Sequence, residues 1–283
     1  MTTAPFKKLG LALTFSPSMQ YNLETSLRLK KLFDAELCII HSAEHEKEDK
    51  ERMEKILIDS KCDLSKIKIL SQTGNPAKVI LKIAEEEGVD LLIAGALQKE
   101  NLLKHYVGSV SRKLMNEAKC SVLILKKSKE KLHKFNRFCV VVDFSTACEK
   151  AIITSYQFAE FEKSQSFSLI RDLWIPGLTL SNMYTGSIED IDETKKEMIV
   201  DESEKMNLFI VELNLSGSVP IHTECFYEKN ALNLSNFVRN YNSDILVLST
   251  PAKKTSIFNR IIVDEFKNIY EDLPSNLLII RKN

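Results

Sequence analysis

No stretch of this 283-residue chain stays apolar for the ~18–20 residues that a membrane-crossing helix needs. The opening segment, Met1 to Lys8, lacks the apolar run of a secretory signal, so a cytoplasmic location is expected. Neither sign of charge is in excess: Lys and Arg total 39, as do Asp and Glu. That balance argues against nucleic acid or an anionic membrane as the main partner. The six cysteines form no Cys-x-x-Cys pair, and Cys38, Cys120 and Cys139 sit in or beside apolar runs, so packed, reduced thiols are expected. His41, His45, His105, His133 and His222 show no metal-ligand spacing, which leaves no basis for a structural zinc. There is no Gly-x-Ser-x-Gly elbow and no Walker-type Gly-Lys-Ser/Thr loop, so serine-hydrolase and P-loop chemistry both lack support.

What the chain does contain is an internal repeat. The length suggests about two domains, and two apolar blocks recur. Lys8 to Phe15 aligns with Arg137 to Phe144, an offset of 129 that sets Thr14 against Asp143. Gly88 to Ala94 aligns with Asn242 to Leu248, and Cys120 to Ile124 with Pro274 to Leu278, at an offset of 154. The second copy therefore carries about 25 extra residues between these blocks, in an insertion at about 172–200 that includes the lone Trp174. Ser187-Ile188-Glu189-Asp190 reads as a capping box opening a charged helix there. The bland reading of Trp174, packing over the sheet edge, is preferred to a lid.

Each copy alternates strand and helix. Apolar runs fall at 8–14, 35–41, 67–72, 90–95 and 121–126, then at 138–143, 166–171, 221–226, 244–249 and 276–281. Helical patterns lie between, such as Leu23 to Leu32 and Ala77 to Glu87. Ser16-Pro17 and Asn75-Pro76 read as a cap with Pro at the first helical position, and Gly88 as a helix stop. Runs apolar on both faces in strict alternation with helices predict α/β architecture: two tandem doubly wound, five-stranded parallel sheets. The expected domains are 1–127 and 135–283, joined by the charged run from Lys126 to Lys134.

In such sheets ligands bind beyond the carboxyl ends of the strands, where the strand order reverses. Two loops of the first copy should meet there, Thr14 to Ser18 and Gly95 to Ser111, the second running into the helical pattern from Arg112 to Glu117. Gly95, then Gly108-Ser109, in this strand–loop–helix context resembles the universal stress protein family. That family carries Gly, two residues, Gly, nine residues, then Gly-Ser or Gly-Thr at this place. Gly74-Asn75-Pro76-Ala77 and Cys120 to Ile124 fit the family too. The resemblance implies a flavodoxin-like, adenine nucleotide alpha hydrolase-like fold, pairing through the fifth strands as an intramolecular pseudo-dimer, and further self-association as a homodimer. It also implies ATP or AMP as ligand in the first copy, with magnesium if ATP binds. Backbone N–H groups at Gly108, Ser109 and Val110 would receive phosphate. The Ser109 and Ser111 hydroxyls and the Lys99 ammonium would add to them. Thr14 and Ser42 occupy the positions that hold the adenosine in the family. Two residues depart from the pattern: Thr14 stands where the family has Asp, and Gln98 where it has the middle glycine.

The second copy keeps Asp143, which is expected to satisfy backbone groups at the next helix start. Its loop is altered: Ser249, Ala252, Ile262, Val263 and Glu265 replace Gly95, Gln98, Gly108, Ser109 and Ser111. Apolar bulk and a carboxylate there would repel phosphate. Three readings follow: a non-catalytic nucleotide-binding stress-response protein, a regulator or scaffold acting by protein contacts or another small ligand, and a slow ATPase. For the last, no poised base, metal cluster or nucleophile stands out.

Overall fold

A computed structural model describes residues 3–43, 46–59, 67–98, 104–127, 134–172, 188–226, 232–250 and 267–281. The first copy runs β1 (Lys8–Ala12), α1 (Met19–Phe33), β2 (Glu36–Ala43), α2 (Glu46–Asp59), β3 (Ile67–Thr73), α3 (Pro76–Glu86), β4 (Leu91–Gly95), β5 (Leu97–Gln98), β6 (His105–Tyr106), α4 (Ser109–Glu117) and β7 (Ser121–Leu125). The second follows with β8 (Arg137–Val141), α5 (Thr146–Glu162), β9 (Ser166–Asp172), α6 (Ile188–Leu213), β10 (Ile221–Phe226), α7 (Leu232–Asn240), β11 (Ile245–Thr250), α8 (Lys267–Glu271) and β12 (Asn276–Arg281).

The expected strands all form, but they make one sheet rather than two. Its order is β10-β9-β8-β11-β12-β7-β4-β1-β2-β3. Every neighbour pair is parallel except β12 with β7, which runs antiparallel with Leu278 opposite Leu123. Each half thus has the doubly wound order, and the two fifth strands join the halves about a pseudo-two-fold. The physical reason is in their composition. Ser121 to Leu125 and Asn276 to Ile280 are all buried, and pairing the two strands covers backbone edges that neither half could leave apolar and open.

Alternation along the strands sends side chains to two cores. Leu9, Leu11 and Leu123 enter one cluster, and Ala12, Leu92 and Val122 the other, on the opposite face. Phe158 is a hub of the first cluster: it meets Phe33 at 4.9 Å, Phe138 at 5.3 Å and Phe135 at 5.8 Å, so aromatics of both copies share one core. Beside it Arg28 of α1 binds Glu162 of α5 through Nη2–Oε1 at 2.7 Å and Nη1–Oε2 at 2.8 Å, and its guanidinium lies over the Phe135 ring.

Helix starts show where local reasoning held. Asn75 caps α3 by accepting from the Lys78 N–H, with Pro76 at the first position, and Gly88 follows α3 at φ +65°, a conformation that suits glycine. At α1 the start lies later than Ser16-Pro17 suggests. A turn, with Ser16 N–H donating to the Thr14 carbonyl and Met19 N–H to that of Ser16, absorbs Pro17 and leaves Ser18 as the N-cap. Ser187 and Trp174 lie outside the described residues.

Candidate functional site

The first turns of two helices meet at Gly95, the last residue of β4. Ser111, in the first turn of α4, donates its hydroxyl to the Gly95 carbonyl at 3.3 Å. From the other side, Ser18 Oγ lies 3.3 Å from where a Gly95 Cβ would stand, and Asn22 Nδ2 closer still. A side chain at Gly95 would thus have to displace the Asn22 amide. A Cβ at Gly108 would likewise lie 2.6 Å from Leu97 Cδ1. Gly108 itself is the N-cap of α4 with extended backbone, φ −68°.

The electrostatics of this place are distinctive. α3 and α5 have side-chain caps, from Asn75 and Ser145. Neither α1 nor α4 has a side-chain cap hydrogen bond or an acidic residue in its first turn. Two helix N-termini therefore direct unneutralised positive ends toward the Gly95 corner, each favouring an anion by about 0.3–1 kcal/mol. Lys127, just past β7, adds a cation: its ammonium donates to the Pro17 carbonyl at 3.0 Å, at the rim of the β1–α1 loop. Around the loop, Ser16 and Ser18 hydroxyls lie 3.1 Å apart, and buried Asn22 keeps its Oδ1 without a hydrogen-bond partner.

Of the residues singled out from sequence, Gly95, Gly108, Ser109, Val110 and Ser111 gather at this corner, with Ser109 exposed and Ser111 buried. Thr14 is exposed after β1. Ser42, near the end of β2, is occupied in donating to the Gly74 carbonyl at 2.9 Å. Gln98 is exposed and pairs through the β5–β6 ladder with His105. Lys99 lies outside the described residues, as do Ala252, Ile262, Val263 and Glu265. Sequence reasoning passed over Asn22 and took Ser18 only as the end of the loop after β1. The two sit one helical turn apart, and Lys127 was read as part of the charged linker.

The loop after β4 is docked on the second copy. Val107 N–H donates to the Tyr270 carbonyl at 2.8 Å, and Leu273 N–H to the His105 carbonyl at 2.9 Å. The His105 ring is buried with no hydrogen bond at either nitrogen. Burial and the positive charges of Lys126 and Lys127 hold its pKa below the ordinary histidine value, against the opposing pull of Asp272. Lys126 spans the same junction, donating to the Leu273 and Pro274 carbonyls.

A second constellation is repeated in both copies. His41, near the end of β2, contacts the Leu13 carbonyl through Nδ1 at 2.9 Å, lies 3.6 Å from Asp49 of α2 through Nε2, and meets the Phe15 ring at a tilt of 58°. Arg171 does the same in the second copy, donating to the Val142 carbonyl and to Glu202 of α6 beside Phe144. Asp143 accepts from the Ser145 N–H and hydroxyl, bracing the cap of α5, and from Ser249 at 3.4 Å. A recess of about 260 Å³ lined by Leu81, Ala84, Val89, Asp90 and Cys120 lies at the opposite ends of the strands, away from these groups.

Residues 44–126 match the universal stress protein family. A universal stress protein of Methanocaldococcus jannaschii is 36% identical over 80 residues, 28% of this chain and 49% of that relative. Another, from Methanothermobacter thermautotrophicus, is 42% identical over 53 residues, 19% of this chain and 36% of the relative. This chain thus spans about half or less of the length of the curated relatives it matches. The fold extends further than the sequence match. A universal stress protein structure from Archaeoglobus fulgidus superposes with a TM-score of 0.64 at 16% identity, covering 99% of this chain and 97% of that one. A structure from Pseudomonas aeruginosa UCBPP-PA14 gives 0.71 at 14% identity, covering 98% and 93%. Residues 44–126 thus match the universal stress protein family by sequence, and nearly the whole chain shares the fold of the two solved structures.

Proposed function

We propose that the first copy binds an adenine nucleotide, ATP or AMP, and that the protein acts as a non-catalytic sensor of it. One observation carries the reading: two uncapped helix N-termini, those of α1 and α4, converge on Gly95 at the carboxyl ends of β1 and β4. Such a corner suits phosphate, because the aligned peptide dipoles of two helices point at it. Ser109 and Val110 would donate backbone N–H groups, the Ser109 hydroxyl would add a bond, and Lys127 would contribute charge. Thr14 and Ser42 lie toward the nucleoside end. The loop of residues 95–111 falls within the segment that matches the family. Magnesium would accompany ATP through the phosphates. A binding role is also consistent with the thiols: burial raises Cys38 and Cys120 to about 11 and Cys148 to about 12, far from a reactive nucleophile.

Calorimetry with ATP and AMP, with and without magnesium, tests this on the wild type and on Gly108→Val/Ser109→Ala. Micromolar binding lost in the variant is the expected result, and no heat of binding in the wild type would remove the nucleotide reading. A regulator or scaffold without nucleotide is the second reading. It is favoured by Asn22, whose amide fills the space directly in front of Gly95.

A further inference from the structure

Five large apolar side chains are exposed among the described residues, and three of them share one stripe of α6: Val200 at 55%, Leu208 at 65% and Val211 at 76%. Spacings of eight and three residues put them on one helical face, about 16 Å from end to end. The opposite face does the packing, through buried Met206 and Phe209. Exposed carboxylates predominate around the stripe, with Glu193, Glu197, Asp201, Glu204 and Glu212 against the exposed cations Lys196 and Lys205, the latter paired with Glu202. Glu204 lies within it, one turn from both Val200 and Leu208.

The repeat supplies an internal control. α2 of the first copy aligns with α6 at an offset of 153: Asp49 with Glu202 as the carboxylate facing the strand-end cation, and Met53 with Met206, both completely buried. At that offset Val200 corresponds to Lys47, Leu208 to Lys55 and Val211 to Ile58. The same helix in the same kind of unit is therefore built with lysines at two of the three positions. Nothing in the fold requires Val and Leu there, and exposed apolar side chains so placed mark a contact surface.

We propose that the outer face of α6 docks an amphipathic helix of a partner protein whose apolar seam is flanked by Lys and Arg. Its apolar side chains would cover Val200, Leu208 and Val211, and a cation would sit opposite Glu204. A second copy of this chain is disfavoured as the occupant, because an isologous contact would set two faces with an excess of carboxylates against each other, Glu204 against Glu204 at the centre. This surface is independent of the nucleotide corner and stands whether or not the first copy binds ATP.

The test uses the full chain and three fluorescein-labelled synthetic peptides: an amphipathic Leu/Lys helix, its scrambled isomer, and a Leu/Glu counterpart. Fluorescence anisotropy should show binding of the first alone. Val200→Lys/Leu208→Lys, which installs the residues the first copy already carries, should weaken it by at least tenfold, about 1.4 kcal/mol. Because charge reversal contributes to that loss, Leu208→Gln/Val211→Gln, with charges unchanged, should weaken it too. Unaltered affinity in the Gln variant would reduce the effect to bulk charge and overturn the proposal. So would light scattering that shows a dimer of the wild type dissolved by either variant, since a second copy would then cover the stripe.

Discussion

Acid should loosen the junction between the loop after β4 and the second copy, through His105. The ring is 7% exposed, both nitrogens lack partners, and Lys126 and Lys127 add positive potential, so the folded protein favours neutral imidazole. Among the described residues, Lys104 and Arg239 are both paired with Asp272, the carboxylate that opposes Lys126 and Lys127 at the ring. The unfolded chain binds the proton at the ordinary histidine pKa, the folded chain only at a lower pH. Stability is therefore complete above the ordinary value and falls as pH drops toward the depressed one. With one proton involved, the slope cannot exceed about 1.4 kcal/mol per pH unit. One unit below the ordinary value that ceiling corresponds to a thermal midpoint lower by about 3–6 °C, for units of roughly 150–250 residues. Differential scanning fluorimetry between pH 7.5 and 5.5 on the wild type and on His105→Phe isolates the effect, because every other titrating group cancels in the comparison. Native-state hydrogen exchange at Val107 and Leu273, whose amides make the two junction bonds, should show protection factors, corrected for the intrinsic pH dependence of exchange, that fall with acid in the wild type only. An identical pH profile in both proteins would refute the assignment.

Three further outcomes are expected. Glu162→Met should destabilise by about 3–5 kcal/mol by stranding the Arg28 guanidinium, whereas Arg28→Met/Glu162→Met should recover most of it; urea titration measures both. Gly95→Ala should destabilise in the same assay through the Cβ contact with Asn22 Nδ2, and Asn22→Ala in the same chain should relieve it, leaving nucleotide affinity as a separate readout. Cys38, Cys120 and Cys148 should stay unmodified by iodoacetamide in the native protein at pH 8, where a thiol of pKa about 11 is roughly one part in a thousand ionised, and react on unfolding, as peptide mass mapping would show.

The strands were legible because the sheet is buried on both faces: Leu91 to Ala94 and Ile245 to Leu248 are apolar at every position, and such runs need no partner to be recognised. The start of α3 was legible because Asn75-Pro76 acts locally. The start of α1 was not, since Pro17 is absorbed in a turn that depends on Thr14 and Ser16 backbone contacts. Merging of two sheets into one lay beyond local pattern, although the apolar edges of Val122 to Leu125 and Leu277 to Ile280 implied neighbours. At the site, the spacing of Gly95 and Gly108 located the corner, but the reason for each glycine came from elsewhere: Asn22 and Leu97 approach only once α1 and β5 are folded. The stripe on α6 escaped notice because it falls outside the part of the repeat that was aligned.

The antiparallel meeting of β7 with β12 also sets a timetable. About 150 residues separate the two strands, so a ribosome adding roughly 5–20 residues per second needs on the order of 10–30 s between them. During that interval the first copy can complete its own half-sheet while its last strand, Ser-Val-Leu-Ile-Leu, has an open apolar border. A nascent chain stalled there would offer that border to other nascent copies, and exchange of β12 between neighbouring chains would be its characteristic misassembly. Once β12 arrives, the association is intramolecular, and dilution no longer separates the halves.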